Sequence, residues 1–175
     1  NENELLIQDE TNTLYLINAK GTILWKKKLA EKILSKIYTV DIYKNGKFQM
    51  LFNTLNGIHL IDRNGRYVEN YPVELASEAS AEISLFDYDA NKDYRILIPC
   101  KNNIIYNYNI HGEKQEKFNV VKTEQAVKLP VHYVKIGLSD YLVAVDVEGK
   151  IYTFSRKGIG RIGLRNRAVV NCKAF

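Results

Sequence analysis

Four stretches of this chain fall into register when their glycines are aligned, and that recurrence limits the fold more than any other feature. They are "TLYLINAKG" ending at Gly21, "GIHLIDRNG" at Gly65, "IIYNYNIHG" at Gly112 and "KIYTFSRKG" at Gly158, separated by 44, 47 and 46 residues. Four columns agree: Leu14/Ile58/Ile105/Ile151, Tyr15/His59/Tyr106/Tyr152, Ile17/Ile61/Tyr108/Phe154 and Asn18/Asp62/Asn109/Ser155. A near-constant period of this length marks a repeat architecture, in which each unit buries its apolar surface against the next. The Asn, Asp or Ser that ends each run bonds its own backbone. The glycine three residues on takes the positive φ of a tight turn, so each unit reads as strand, turn, strand.

Further apolar runs flank this core pattern. "LLIQ", "FQMLFN", "YRILIP" and "YLVAVD" precede the four glycine-ended strands, and "IYTVDIY", "AEISLFDY" and "VHYVKIG" precede those in three units. "TILWKKKL", "RYVENYPVEL", "EKQEKFNV" and the weaker "IGRIGL" follow the glycines. Four antiparallel strands in about 45 residues is the size of a propeller blade, and strands apolar on both faces suit sheets covered on each side. The expected fold is all-β: a β-propeller of four-stranded antiparallel blades, about four of them. The repeats run over 1–36, 37–80, 81–129 and 130–165, with 166–175 an extra inner strand. The first unit lacks an innermost strand. Either "NRAVVNCKAF" inserts beside "ELLIQD" to close a four-bladed ring, or it begins a fifth blade and the chain is an arc of a larger propeller. The arc is the preferred reading, since residue 1 is Asn and the chain is expected to be an excerpt of a longer protein. Leu29, Ile33 and Ile37 in "LAEKILSKI" stand at helical spacing and predict a short helical connection, with a weaker counterpart in "ELASEASAEI".

Gly158-x-Gly160-x-x-Gly163 has the spacing of a dinucleotide-binding fingerprint. That site needs a helix beginning at the glycines and an acidic residue about twenty positions on. The residues after Gly163 contain no acid, and Gly158 is already the turn glycine of the fourth repeat, so the match is a coincidence. A formal charge of +5 falls short of a nucleic-acid-binding signature, and no apolar run is long enough to span a membrane. Cys100 and Cys172 have no metal-ligand spacing; buried thiols are expected, with a single disulfide as the alternative. His59, His111 and His132 form no HxH or HExxH pair. His59 fills a tyrosine column and is expected to pack like an aromatic residue, whereas His132 lies on an innermost strand that can face a central channel. A carboxylate pair for acid–base chemistry would have to come from Asp41 and Asp87 on adjacent blades.

"TLYLINAKGTILWKKKL" resembles the repeat of quinoprotein-type propellers, which include pyrroloquinoline-quinone dehydrogenases and a non-enzymatic lipoprotein of outer-membrane barrel assembly. Trp25 is the only tryptophan, so the tryptophan ladder of that family is largely missing. "FDYDANKDYR" is similar to the FG-GAP repeat loop. That resemblance implies a calcium site at Asp87, Asp89, Asn91 and Asp93, although Lys92 stands where the loop normally has Gly. The alternative is a surface turn whose acids satisfy backbone groups. "LFNTLNGIHLIDRNGRYVENYPVEL" is similar to propeller segments of large bacterial envelope proteins.

Two basic clusters remain. Lys26, Lys27 and Lys28 lie on an outermost strand, where lysines keep an edge soluble. Arg156, Lys157, Arg161, Arg165 and Arg167 form either a docking patch for an anionic partner or a solvated rim. The function expected is a non-catalytic scaffold for protein–protein interaction within a larger bacterial cell-envelope protein or complex. It would carry no cofactor and work in the periplasm or envelope, with the cytoplasm also open. The residues singled out for testing are Asp41, Asp87, Asp89, His132 and Tyr133. The alternative is a quinoprotein-like or calcium-dependent propeller that holds a small molecule over its channel.

Overall fold

The structure, a computed structural model, describes residues 4–161, and every regular element among them is a strand. The first sheet contains β1 (Leu5–Gln8), β2 (Thr13–Ile17) and β3 (Ile23–Lys28). The second contains β4 (Tyr38–Val40), β5 (Gln49–Asn53), β6 (Gly57–Asp62) and β7 (Val73–Glu74). The third contains β8 (Ser84–Phe86), β9 (Arg95–Pro99), β10 (Ile104–Asn109) and β11 (Val121–Lys122). The fourth contains β12 (His132–Ile136), β13 (Ser139–Val145) and β14 (Ile151–Phe154). In each sheet the strands lie in chain order and pair antiparallel with their sequence neighbours. The second and third sheets have the four strands expected of a blade, and the first and fourth have three among the described residues. Among the described residues blade 1 has no leading strand.

One turn recurs in all four blades and explains two sequence columns. Asn18 Oδ1 accepts the backbone N–H groups of Lys20 and Thr22, and Gly21 N–H donates to Asn18 O. Asp62, Asn109 and Ser155 do the same in the other blades. The glycines sit at φ of 75° to 81°, the left-handed region that L side chains resist. The tyrosine column has a different purpose. Tyr15 donates to Asp9 Oδ2 at 3.0 Å and Tyr152 donates to Asp146 Oδ2 at 2.9 Å, in both cases latching the preceding hairpin turn. In blade 3 the Tyr106 hydroxyl instead accepts from Asn102, again in the preceding turn.

Apolar side chains of consecutive sheets interleave. Blade 1 meets blade 2 through Leu14, Phe52 and Ile61. Blade 2 meets blade 3 through Leu51, Ile58, Leu60, Ile96 and Ile98, and blade 3 meets blade 4 through Leu97, Ile105, Leu142, Ala144 and Phe154. Strands β6 and β10 are buried along nearly their whole length, because a sheet covers each face. Asn53, wholly buried, ties three segments together: its N–H donates to Ser35, its Nδ2 to Thr54 O, and its Oδ1 accepts from Ile83 N–H.

The outer segment of each blade lies on the turn glycine of the next. Trp25 of blade 1 covers Gly65 and donates Nε1–H to Arg63 O at 2.7 Å. Val73 of blade 2 covers Gly112 while the Tyr71 hydroxyl donates to Ile110 O. The Asn119 backbone of blade 3 covers Gly158, donating to Lys157 O at 2.9 Å. Glycine is required here for close approach as well as for φ: a Cβ on Gly158 would stand 2.1 Å from Asn119 O.

Two expectations fail. Residues 29–37 and 74–83 form no helix. Leu29 is buried with blade 1 against blade 2, and Ile33 and Ile37 pack beside it, but the chain reaches those positions in an extended path. The Leu34 N–H donates across to Asn53 O instead of along a helix, so tertiary bonds displace the helical pattern. As the sequence indicated, the chain around Gly158 makes the repeat turn and then bridges Phe154 to Gly160, and it starts no helix there. Residues 162–175, among them the expected extra strand 166–175, Arg165, Arg167 and Cys172, lie outside the described residues; Cys100 is a buried free thiol whose pKa burial pushes up to about 12.

Candidate functional site

The leading strands β4, β8 and β12 converge on a groove of about 320 Å³ between blades 2, 3 and 4. Lys36 and Tyr38 line one side, Glu82 and Ser84 the middle, and His132 and Tyr133 the other. His132 is exposed here, on the innermost strand of its blade. Tyr38 is anchored by donating to Ile83 O, and the Lys36 ammonium lies 4.7 Å from the Tyr38 ring centre. The groove thus offers the Lys36 ammonium and the Glu82 carboxylate from connections, and the Tyr38, Phe86, His132 and Tyr133 rings from strands. Sequence reasoning found His132 and Tyr133 but missed Lys36 and Glu82, which stand in connections whose course a strand pattern does not specify.

The suggested carboxylate pair is not available for acid–base work. Asp41 and Asp87 shape matching turns: Asp41 accepts from the N–H groups of Asn45 and Gly46, and Asp87 from those of Asn91 and Lys92. Lys92 occupies the left-handed position that Gly46 fills in blade 2, at φ 65°. Its ammonium reaches across to the buried Asp41 carboxylate at 2.5 Å. That charged hydrogen bond holds the Asp41 carboxyl below its ordinary value and Lys92 above its own. A lysine that looked like an intruder in a cation loop is an inter-blade strut.

The four residues proposed for calcium face different partners. Asp87 holds its own turn, Asn91 Oδ1 accepts from Asp93 N–H, and Asp93 pairs with Arg95 at 2.6 Å. Asp89 pairs with Arg156 of blade 4 at 3.0 Å. Among the described residues no group of three or more His, Cys, Asp or Glu side chains is placed to hold a metal ion.

Of the basic cluster, Arg156 is the most constrained. Its guanidinium lies 4.4 Å from the centre of the Tyr88 ring and donates to the Tyr133 hydroxyl at 3.1 Å. It also meets Asp140 at 2.5 Å and Asp89 at 3.0 Å. Phe86, Tyr88 and Tyr133 form a continuous aromatic cluster behind it, with Tyr88 and Tyr133 ring centres 5.3 Å apart. Arg161 shares Asp140 at 3.3 Å and stacks near Tyr141. Two of the three described arginine and lysine charges are therefore neutralised locally, and Arg156 closes the blade 3–blade 4 seam. In the other basic run Lys27 turns inward, 3.9 Å above the Tyr67 ring and donating to Gly65 O, while Lys26 and Lys28 are exposed.

His59, read as an aromatic stand-in, is also a polar junction. It stacks on Phe52 at 5.1 Å with rings nearly parallel, while Nε2 meets the Thr54 hydroxyl and Nδ1 the Tyr67 hydroxyl. Burial lowers its pKa to about 4, with the Glu31 charge opposing, so the ring is neutral at pH 7.

No family model matches this chain, and no curated protein does. Solved structures do. BBS1N, crystallised in complex with ARL6DN, has a TM-score of 0.64 at 13% identity over 91% of this chain and 48% of its own. BamB from Moraxella catarrhalis has a TM-score of 0.51 at 12% identity over 94% of this chain and 58% of its own. The fold is a β-propeller. Its four blades span about half the length of these solved chains, and identities this low speak to fold alone. Neither the quinoprotein nor the FG-GAP resemblance is matched by a family model.

Proposed function

We propose that this propeller is a non-catalytic scaffold that binds another protein, as part of a bacterial cell-envelope protein or complex. One observation carries the reading: several polar groups that chemistry could use are committed to bonds within and between the blades. Asp41 is tied to Lys92, Asp89 and Asp140 to Arg156, and His59 to Thr54 and Tyr67. What the fold leaves for recognition is loops and grooves on stiff strands, which suits binding. The propeller-fold neighbour BBS1N was solved with a protein partner, which fits this use of the fold.

The experiment is a pull-down from bacterial membranes with the tagged protein, followed by affinity measurement of the recovered partner at about 50 and 200 mM salt. The expected result is a saturable protein partner. Its affinity should survive at high salt, since Arg156 and Arg161 of the basic cluster are already paired with acids. Failure to recover a specific protein, or turnover of a small molecule by the purified chain, overturns the reading.

The groove between β4, β8 and β12 supports a second reading, a small polar ligand held between Lys36 and Glu82. The Ser84 hydroxyl is buried on its wall with no hydrogen-bond partner among the described residues. A thermal-shift screen with sugars, quinone cofactors and calcium tests it; a stabilising ligand whose effect is lost in Ser84→Ala would support it, and a flat screen would remove it.

A further inference from the structure

The groove between β4, β8 and β12 is lined by blades 2, 3 and 4 and the connections between them, away from both ends of the described chain. At about 320 Å³ it lies at the small end of the range for ligand sites, about 300–1,000 Å³. Its two tyrosines offer ring faces, because their hydroxyls are already engaged within the protein. The Tyr38 hydroxyl donates to Ile83 O at 3.1 Å, and the Tyr133 hydroxyl accepts from the Arg156 guanidinium at 3.1 Å. Phe86 lies 6.1 Å from Tyr133, centre to centre, with the ring planes 51° apart, so the two form an apolar corner. His132 adds an exposed ring beside them. The face of an aromatic ring carries partial negative charge, so a corner of this kind receives the C–H side of a ligand.

The polar groups of the groove are few and differ in kind. Ser84 is 3% exposed, and its hydroxyl has no hydrogen-bond partner among the described residues, although buried polar groups ordinarily have one. Lys36 brings donors and Glu82 an acceptor. Their charges narrow the ligand. A cation would find the Tyr38 ring already under the Lys36 ammonium, 4.7 Å from its centre. An anion would meet the Glu82 carboxylate. A wholly apolar molecule would strip water from Ser84, Lys36 and Glu82 and return no hydrogen bond. What fits is an uncharged molecule with C–H faces for the rings and hydroxyls along its edge for these three groups.

We propose, resting on the small-ligand reading of this groove, that it binds a neutral mono- or disaccharide. The sugar lays its C–H face on Phe86 and Tyr133 and turns its hydroxyls toward Ser84, Lys36 and Glu82. Stiff strands hold the rings in place before the ligand arrives, so little ordering accompanies binding.

The test is isothermal titration and saturation-transfer NMR on the 175-residue chain, with thermal melts to check that each variant is folded. The neutral probes are methyl glucoside, N-acetylglucosamine, maltose and cellobiose. Glucosamine, glucuronate and phenylalanine serve as cationic, anionic and zwitterionic controls. A neutral sugar is expected to bind, with saturation strongest at its ring C–H protons, and the charged sugars to bind more weakly. Ser84→Ala should weaken it about tenfold, the loss of one hydrogen bond. Tyr133→Ala should abolish the heat, whereas Tyr133→Phe, which keeps the ring and gives up the Arg156 contact, should retain it. His132→Ala removes a ring at an exposed position, where folding is not at stake, and should weaken binding severalfold. If a control binds in place of every neutral sugar and Ser84→Ala removes it, the saccharide proposal falls while the small-ligand reading stands. If no probe binds, both fall. A sugar held equally well by wild type, Ser84→Ala and Tyr133→Ala sits elsewhere, and the proposal is overturned.

Discussion

At the scale of single residues, burial changes the chemistry of His59. Its pKa is about 4 in the folded protein against an ordinary 6.5, because burial penalises the imidazolium. Between those values the unfolded chain binds more protons than the folded one, so stability is intact above pH 6.5 and falls as pH drops toward 4. The loss from this one group is about 3 kcal/mol. His59→Phe keeps the stack on Phe52 and removes the titration. Urea denaturation of both proteins at pH 7 and pH 4.5 should show their stability difference shrinking or reversing at the lower pH. At pH 7 the variant should be weaker by about 1–3 kcal/mol, since the Thr54 and Tyr67 hydroxyls lose a partner. The acidic turn makes a second prediction at this scale. With Asp87, Asp89 and Asp93 each engaged by protein groups, calorimetric titration with Ca²⁺ should give no heat, and Asp89→Ala should leave the trace unchanged. Saturable heat that Asp89→Ala removes would restore the FG-GAP loop reading.

The element that organises the fold is the turn at the end of the second strand of each blade. All four glycines share a left-handed φ, so replacing any of them with Ala strains the backbone by about 1–2 kcal/mol. What differs is the cover. A Cβ at position 21 meets open space; at 65 it meets the Trp25 ring at 2.9 Å, and at 158 the Asn119 carbonyl oxygen at 2.1 Å. Stability measured by denaturant should therefore fall least for Gly21→Ala, further for Gly65→Ala and most for Gly158→Ala. The last should lose more than about 3 kcal/mol, since backbone on backbone has no flexible end to give way. Equal losses at positions 21 and 158 would mean that blade 1 is covered in solution.

Across the whole molecule the seams are unequal. Blades 2 and 3 share the largest core cluster, while the seam between blades 1 and 2 has only Leu14, Leu29, Phe52 and Ile61 fully buried. Trp25 sits on that weaker seam and is the chain's only tryptophan, so its fluorescence reports blade 1 alone. In a stack where each sheet touches only its neighbours, a terminal unit with a smaller interface opens first. Equilibrium unfolding followed by Trp25 emission should show its midpoint at lower denaturant than far-UV circular dichroism. Coincident transitions would show instead that the four blades unfold as one unit.

The repeat of Gly21, Gly65, Gly112 and Gly158 was enough to specify blades and their turns, because turn chemistry is local: an Asx or Ser oxygen, two nearby N–H groups and one glycine. Strands apolar on both faces likewise pointed to sheets covered on each side. Local pattern failed where long-range bonds competed with it. The stretch from Leu29 to Ile37 has helical spacing, yet its backbone donates to Asn53 on the next blade. Lys92 reads as a misfit in an acidic loop until the neighbouring blade brings Asp41 to it, and Arg156 reads as a free charge until Tyr88, Asp89 and Asp140 surround it. Those partners lie 16 to 68 positions away in the chain. Which charges hold seams and which remain for a partner is a property of the stacking, and only the tertiary structure decides it.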